Sequence, residues 1–158
     1  MRAALATFSV CAAVAGAACA TGLIPGTDLR DTRQNREILD VVGAYRNALE
    51  GRNVEGVMKL VSKSFFEDSG TPDGSDDFDY QGLEAKLKGW AEKTTTVRVA
   101  MEVKQITLEG PLAKVRYFYD LNFLIPGPNN TSVWRRETDT KEMRLRQENG
   151  AWRIVSGV

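Results

Sequence analysis

The chain has 158 residues, with 21 Lys+Arg against 21 Asp+Glu, two cysteines and no histidine. This length favours one domain over two, and a zero formal charge gives no reason to expect nucleic acid as a partner. The missing histidine excludes catalytic triads, Cys–His dyads and imidazole metal ligands. Asp, Glu and Tyr remain for any acid–base step, and no cofactor or metal is implied.

Met1-Arg2 precedes an uncharged run, Ala3 to Ala18, the pattern of a secretory signal peptide over residues 1–18. The run is short and weakly hydrophobic for a membrane span, which needs about 20 strongly apolar residues. It ends in Ala15-Gly16-Ala17-Ala18-Cys19. This resembles a bacterial lipobox, with Gly16 standing where Leu is usual. The resemblance implies lipid on Cys19 and hence the membrane as a partner. Cleavage after Ala20 and soluble export, periplasmic or secreted, is the other reading. Cys11 lies in the leader, so Cys19 is the lone mature cysteine, and lipidation gives such a thiol a use. Ala20 follows where Asp would mark inner-membrane retention, so the expected place is the outer membrane, facing the periplasm. Residues 19–30 then form the lipidated cysteine and a tether rich in Gly and Pro. Extended, that tether reaches about 35 Å.

From Asp31 the pattern is regular, and residues 31–158 form the expected domain. Asp31 with Gln34 predicts a capped helix start. Ile38, Val42, Tyr45 and Leu49 continue at helical spacing up to Gly51. A shorter helix is predicted from Val54 to Val61, then a short strand over Ser64–Glu67. Asp68 to Asp79, with Gly70, Pro72 and Gly74, reads as a loop. Its acidic cluster lacks the spacing of a calcium loop. Tyr80, Leu83, Leu87 and Trp90 mark a third helix.

After Lys93 the period becomes 2. Val97, Val99, Met101 and Val103 alternate with polar residues, and the phase slips at Gln105, the mark of a β-bulge. The next strand puts Ala113, Val115, Tyr117, Tyr119, Leu121, Phe123 and Ile125 on one face. A charged strand over Val133–Arg146 follows, and Asn149-Gly150 predicts a hairpin turn into Trp152-Arg153-Ile154-Val155. Helices followed by a meander predict an α+β domain with helices on one face of a curved sheet.

The spacings Ile38-x3-Val42-x2-Tyr45-x2-Ala48 and Val54-x2-Val57-x2-Leu60, then Phe65-Phe66 and Gly150-Ala151-Trp152-Arg153-Ile154, carry a resemblance. They resemble the nuclear transport factor 2-like superfamily, which includes the SnoaL-like cyclases and ketosteroid isomerase. The resemblance implies a cone of three N-terminal helices packed on a curved antiparallel sheet, with a pocket between the first helix and the sheet. With the lipobox, it looks like a bacterial cell-envelope lipoprotein of one such domain.

In the isomerase branch a tyrosine on the first helix and an aspartate after the second act on a steroid. The matching positions here are Tyr45 and Asp68, a phenol to hold an enolate and a carboxylate to move a proton. The dull readings are a core tyrosine at a pocket rim and a loop-capping aspartate. Asp120 and Asn122 have the wrong parity for a second acid in the pocket. Tyr117 and Tyr119, with Tyr45, would line a site for a small apolar ligand, or simply pack the core. The charged strand is either a solvated face or a self-pairing surface for a homodimer. The leading expectation is a non-enzymatic binder of a small molecule or protein. An isomerase, dehydratase or cyclase using Tyr45 and Asp68 is the rival, and a self-associating structural module the third reading.

Overall fold

The computed structural model describes residues 22–158; the leader, Cys11 and Cys19 lie outside the described residues. Helix α1 spans Arg33–Glu50 and α2 Val54–Leu60. The short strands β1, Phe66–Glu67, and β2, Phe78–Asp79, pair with each other. Helix α3 follows over Tyr80–Lys93. Strands β3 (Thr96–Glu109), β4 (Leu112–Pro126), β5 (Ser132–Glu148) and β6 (Ala151–Ser156) form an antiparallel meander in sequence order.

The cap of α1 is Thr32, not Asp31. The Thr32 hydroxyl accepts the Asn35 N–H at 3.1 Å, while Asp31 is drawn off by the Arg36 guanidinium, 2.6 Å from Oδ2. Arg36 also holds the Asp31 carboxyl below the usual carboxylate range. The buried stripe of α1 is Ile38, Val42 and Tyr45, each stabilising the fold by about 1.5–3 kcal/mol. After α2 the chain is fixed to the far edge of the sheet, where the Ser62 N–H donates to the Ile154 carbonyl at 2.8 Å.

The slip expected at Gln105 is present: Val103 opposes Tyr117 and Gln105 opposes Arg116, leaving Lys104 as the extra residue. Asn149 and Gly150, both at positive φ, make the expected β5–β6 turn. A second irregularity, at Arg144/Leu145, had no visible signal because both faces of β5 are rich in charge. The strand expected over Ser64–Glu67 shrinks to Phe66–Glu67. Its partner, Phe78–Asp79, ends the loop expected to run unbroken to Asp79.

A larger difference concerns the tether. From Gly22 the segment is folded: Leu23 bridges Arg30, the Asp31 N–H reaches the Gly22 carbonyl at 2.7 Å, and Leu29 is buried. The Asn35 side-chain amide donates to the Arg30 carbonyl at 2.8 Å, locking this clasp to the start of α1. Turn chemistry, Pro and Gly, looks the same in sequence whether a segment is docked or loose.

Candidate functional site

Inner-face residues divide the sheet into two halves. At one end Ala113, Val115, Met143, Leu145, Trp152 and Ile154 are buried under α1 and α2 and fill the core. Toward the other end the helices draw away, and a cavity of about 410 Å³ opens between α1, α3 and strands β3–β5. Its apolar wall includes Leu49, Leu83, Leu87, Trp90, Val99 and Met101. Wider grooves at the clasp (about 620 Å³) and between α2 and α3 (about 790 Å³) are bordered by several charged side chains each. A pocket with few polar groups among apolar walls is the better small-molecule site.

Tyr45, Tyr117 and Tyr119 all line this cavity. Tyr45 comes from the buried stripe of α1 and is 5% exposed; Tyr117, on β4, is 1% exposed. Burial, with Glu67 and the neighbouring phenols nearby, pushes both hydroxyls far above the ordinary tyrosine value. They are therefore neutral hydrogen-bonding groups at any physiological pH. Tyr119 is raised less, first by burial and then by Glu137 and Asp139. The Tyr117 hydroxyl donates to the Gly157 carbonyl at 3.1 Å.

Asp68 is not in the cavity. It is exposed, and its Oδ1 accepts the Gly70 N–H at 2.8 Å, the local bond of a turn. The pairing of Tyr45 with Asp68 is thus not formed. The carboxylate beside the phenols belongs to the preceding residue, Glu67, whose Oε2 accepts the Gly157 N–H at 2.6 Å. Sequence reasoning missed it because a two-residue strand has no readable period. The acidic loop residues serve the backbone: Asp73 accepts from Ser75, Asp77 from Ser69, and Asp79 caps α3 through the Gly82 N–H at 2.9 Å.

Two more cavity residues were hidden in the charged strand. Glu137 and Lys141 have inward parity and stand at the polar border of the site with Lys86 of α3. The Lys141 ammonium sits 5.5 Å from the Tyr119 ring centre and donates to the Val158 carbonyl at 2.9 Å. Outward-facing Asp120 instead pairs with Arg136 at 2.8 Å and accepts from Asn122, as its parity required.

No family model matches the sequence, and no curated protein matches it either. Solved structures do match in shape. A ketosteroid isomerase-like protein from Erwinia carotovora atroseptica superposes with TM-score 0.64 at 16% identity, covering 80% of this chain and 94% of its own. A putative scytalone dehydratase from Novosphingobium aromaticivorans gives 0.68 at 13%, covering 78% and 80%. Aln2 from a Streptomyces species gives 0.61 at 11%, covering 79% and 88%. The chain has the nuclear transport factor 2-like fold. At such identities the likeness concerns the fold, and function has to be argued from the site. Within this nuclear transport factor 2-like cone, the cavity lies where the fold was expected to leave a pocket.

Proposed function

We propose that this chain is a lipid-anchored cell-envelope protein whose domain binds a small, largely apolar molecule without transforming it. The observation that carries the binding reading is the convergence of Tyr45, Tyr117 and Tyr119 on one cavity with an apolar wall. The Tyr45 and Tyr119 hydroxyls have no protein hydrogen-bond partner among the described residues. Two such hydroxyls among apolar side chains suit a ligand with one or two polar atoms on a hydrophobic body. Against turnover stands the separation of Asp68 from Tyr45, together with the engagement of Glu67 by the Gly157 N–H. The anchor reading rests on the lone mature cysteine after a run of small residues.

The neutral fluorophore N-phenyl-1-naphthylamine tests the pocket. Wild-type protein should bind it saturably with quenching of Trp90, best read in a Trp134→Phe background because Trp134 is exposed. Leu121→Trp places a larger side chain on the cavity wall and should weaken binding about tenfold or more, equivalent to about 1.4 kcal/mol. Absence of saturable binding, or binding untouched by Leu121→Trp, would remove the ligand-binding proposal.

A further inference from the structure

The clasp changes what an anchor at Cys19 does to the domain. Its backbone is tied at Gly22–Asp31, at Leu23–Arg30 and at Ile24–Leu29, and its Leu29 side chain is buried. In sequence, only Ala20 and Thr21 separate Cys19 from Gly22, where the backbone is tied to Asp31. Three residue steps span about 10 Å at most, where a free segment to Arg30 would span about 35 Å. A domain on so short a lead cannot turn over freely at a surface.

The end of the clasp where the anchor enters, with Gly22 tied to Asp31, lies at the start of α1 and apart from the cavity, whereas the clasp's tip, Gly26–Asp28, reaches along α1 to a groove shared with Arg46 and Met101. Arg30 and Asn35 share a cleft with Ile106 and Leu108, at the far end of β3. Leu23 is 57% exposed and Leu108 37%, and the Arg30 side chain makes no ion pair among the described residues. Asp28 is the carboxylate beside them, while Asp31 is occupied by Arg36. The cavity begins on α1 at Tyr45 and Leu49. Asn35 to Leu49 is about 21 Å along the helix axis at 1.5 Å per residue.

We infer that the clasp makes the Cys19 anchor an orienting one: the clasp end, with Leu23, Arg30 and Leu108, rests on the lipid surface, and the cavity is held away from it in the aqueous phase. The inference rests on the lipid anchor proposed above. It implies that the ligand arrives from water and is not drawn out of the bilayer.

The test uses lipidated full-length protein, processed from its own leader and reconstituted in vesicles of phosphatidylethanolamine and phosphatidylglycerol. With Cys19 blocked by lipid, a thiol-reactive NBD label reports single introduced cysteines. Leu108→Cys lies at the clasp end. Ser132→Cys is exposed beyond the other end of β4, about 45 Å along the strand from Leu112. Doxyl lipids should quench the label on Leu108→Cys several-fold more than on Ser132→Cys. Inserting a ten-residue Gly-Ser segment between Thr21 and Gly22 should erase that difference while leaving the protein anchored. Equal quenching at both sites in anchored protein, or a difference that survives the insertion, overturns the inference and leaves the anchor standing. A mature protein whose mass shows no lipid on Cys19 refutes the anchor itself, and the orientation falls with it.

Discussion

Tyr117 and Glu67 hold the two peptide units that flank one residue, Gly157. The phenol donates to the Gly157 carbonyl and the carboxylate accepts the Gly157 N–H. Gly157 sits at φ +83, and a Cβ there would run into the Glu142 carbonyl. This is a position where only glycine fits, because both the backbone conformation and the close approach forbid a side chain. Val158, just beyond it, lines the cavity. The cavity wall is therefore set by a glycine that neither α1 nor the apolar strand pattern announces.

Gly157→Ala should destabilise the domain by about 1–3 kcal/mol through backbone strain and displacement of β5. It should also weaken N-phenyl-1-naphthylamine binding, since Val158 must move. Thermal melting and dye titration check both. A melting temperature equal to wild type would mean that the approach to Glu142 is not as close as described.

The buried phenols predict an alkaline weakness. In the folded state Tyr45 and Tyr117 resist ionisation, whereas in the unfolded chain they ionise near the ordinary value of about 10. A raised folded value means that this stability is intact below about pH 10 and declines as pH rises above it, by about 1.4 kcal/mol per pH unit per tyrosine. The decline continues until the folded phenols themselves ionise. Urea unfolding at a series of pH values should show Tyr45→Phe with a shallower alkaline slope than wild type. Identical slopes would place the Tyr45 hydroxyl in water.

Trp152 is 3% exposed and its indole N–H has no partner among the described residues, so the contribution expected of it is packing. Trp152→Ala should cost about 3–5 kcal/mol, a large part of the about 5–15 kcal/mol that holds a typical domain together. Calorimetry or urea unfolding measures it. A loss below about 1 kcal/mol would contradict the burial of this side.

Much of this arrangement was legible in the sequence, for a physical reason. Period-2 alternation over 113–125 placed Tyr117 and Tyr119 inward, because one face of β4 meets apolar core and the other meets water. The same rule failed on β5. There the inner face borders an open cavity, so Glu137 and Lys141 are as polar as the outward residues, and no contrast remains to read. Glu67 escaped because its position is fixed by a two-residue pairing with β2 and by Gly157, both distant in sequence. The clasp escaped because backbone bonds and one buried Leu29 hold it, and neither gives a periodic signal.

The anchor can be tested without the domain's chemistry. Cys19→Ser should move the protein from the detergent phase and the membrane fraction into the soluble periplasmic extract. The domain's melting temperature should not change, because the contacts that tie the clasp to the domain are made by Gly22 to Asp31 and Asn35. Wild-type protein found wholly in the soluble fraction would count against lipidation.

The neighbours Glu67 and Asp68 separate the binding and enzymatic readings most sharply. Asp68 is exposed and accepts a turn N–H that an asparagine oxygen can also accept. Asp68→Asn should therefore melt and bind dye like wild type. Glu67→Gln keeps the shape but removes the charge from its bond to the Gly157 N–H. Charge-assisted bonds contribute about 1.5–3 kcal/mol against about 1 for neutral ones, so a loss of about 1 kcal/mol is expected. Dye affinity should fall with it, because Gly157 and Val158 are held by that bond beside the cavity. Tyr117→Phe, which releases the other side of Gly157, should weaken dye binding in the same direction, and the double variant should lose less than the sum. If Asp68→Asn proves the more damaging change, or Glu67→Gln is silent in both measurements, then Asp68 and not Glu67 belongs to the site. The enzyme reading built on Tyr45 and Asp68 would then regain its ground.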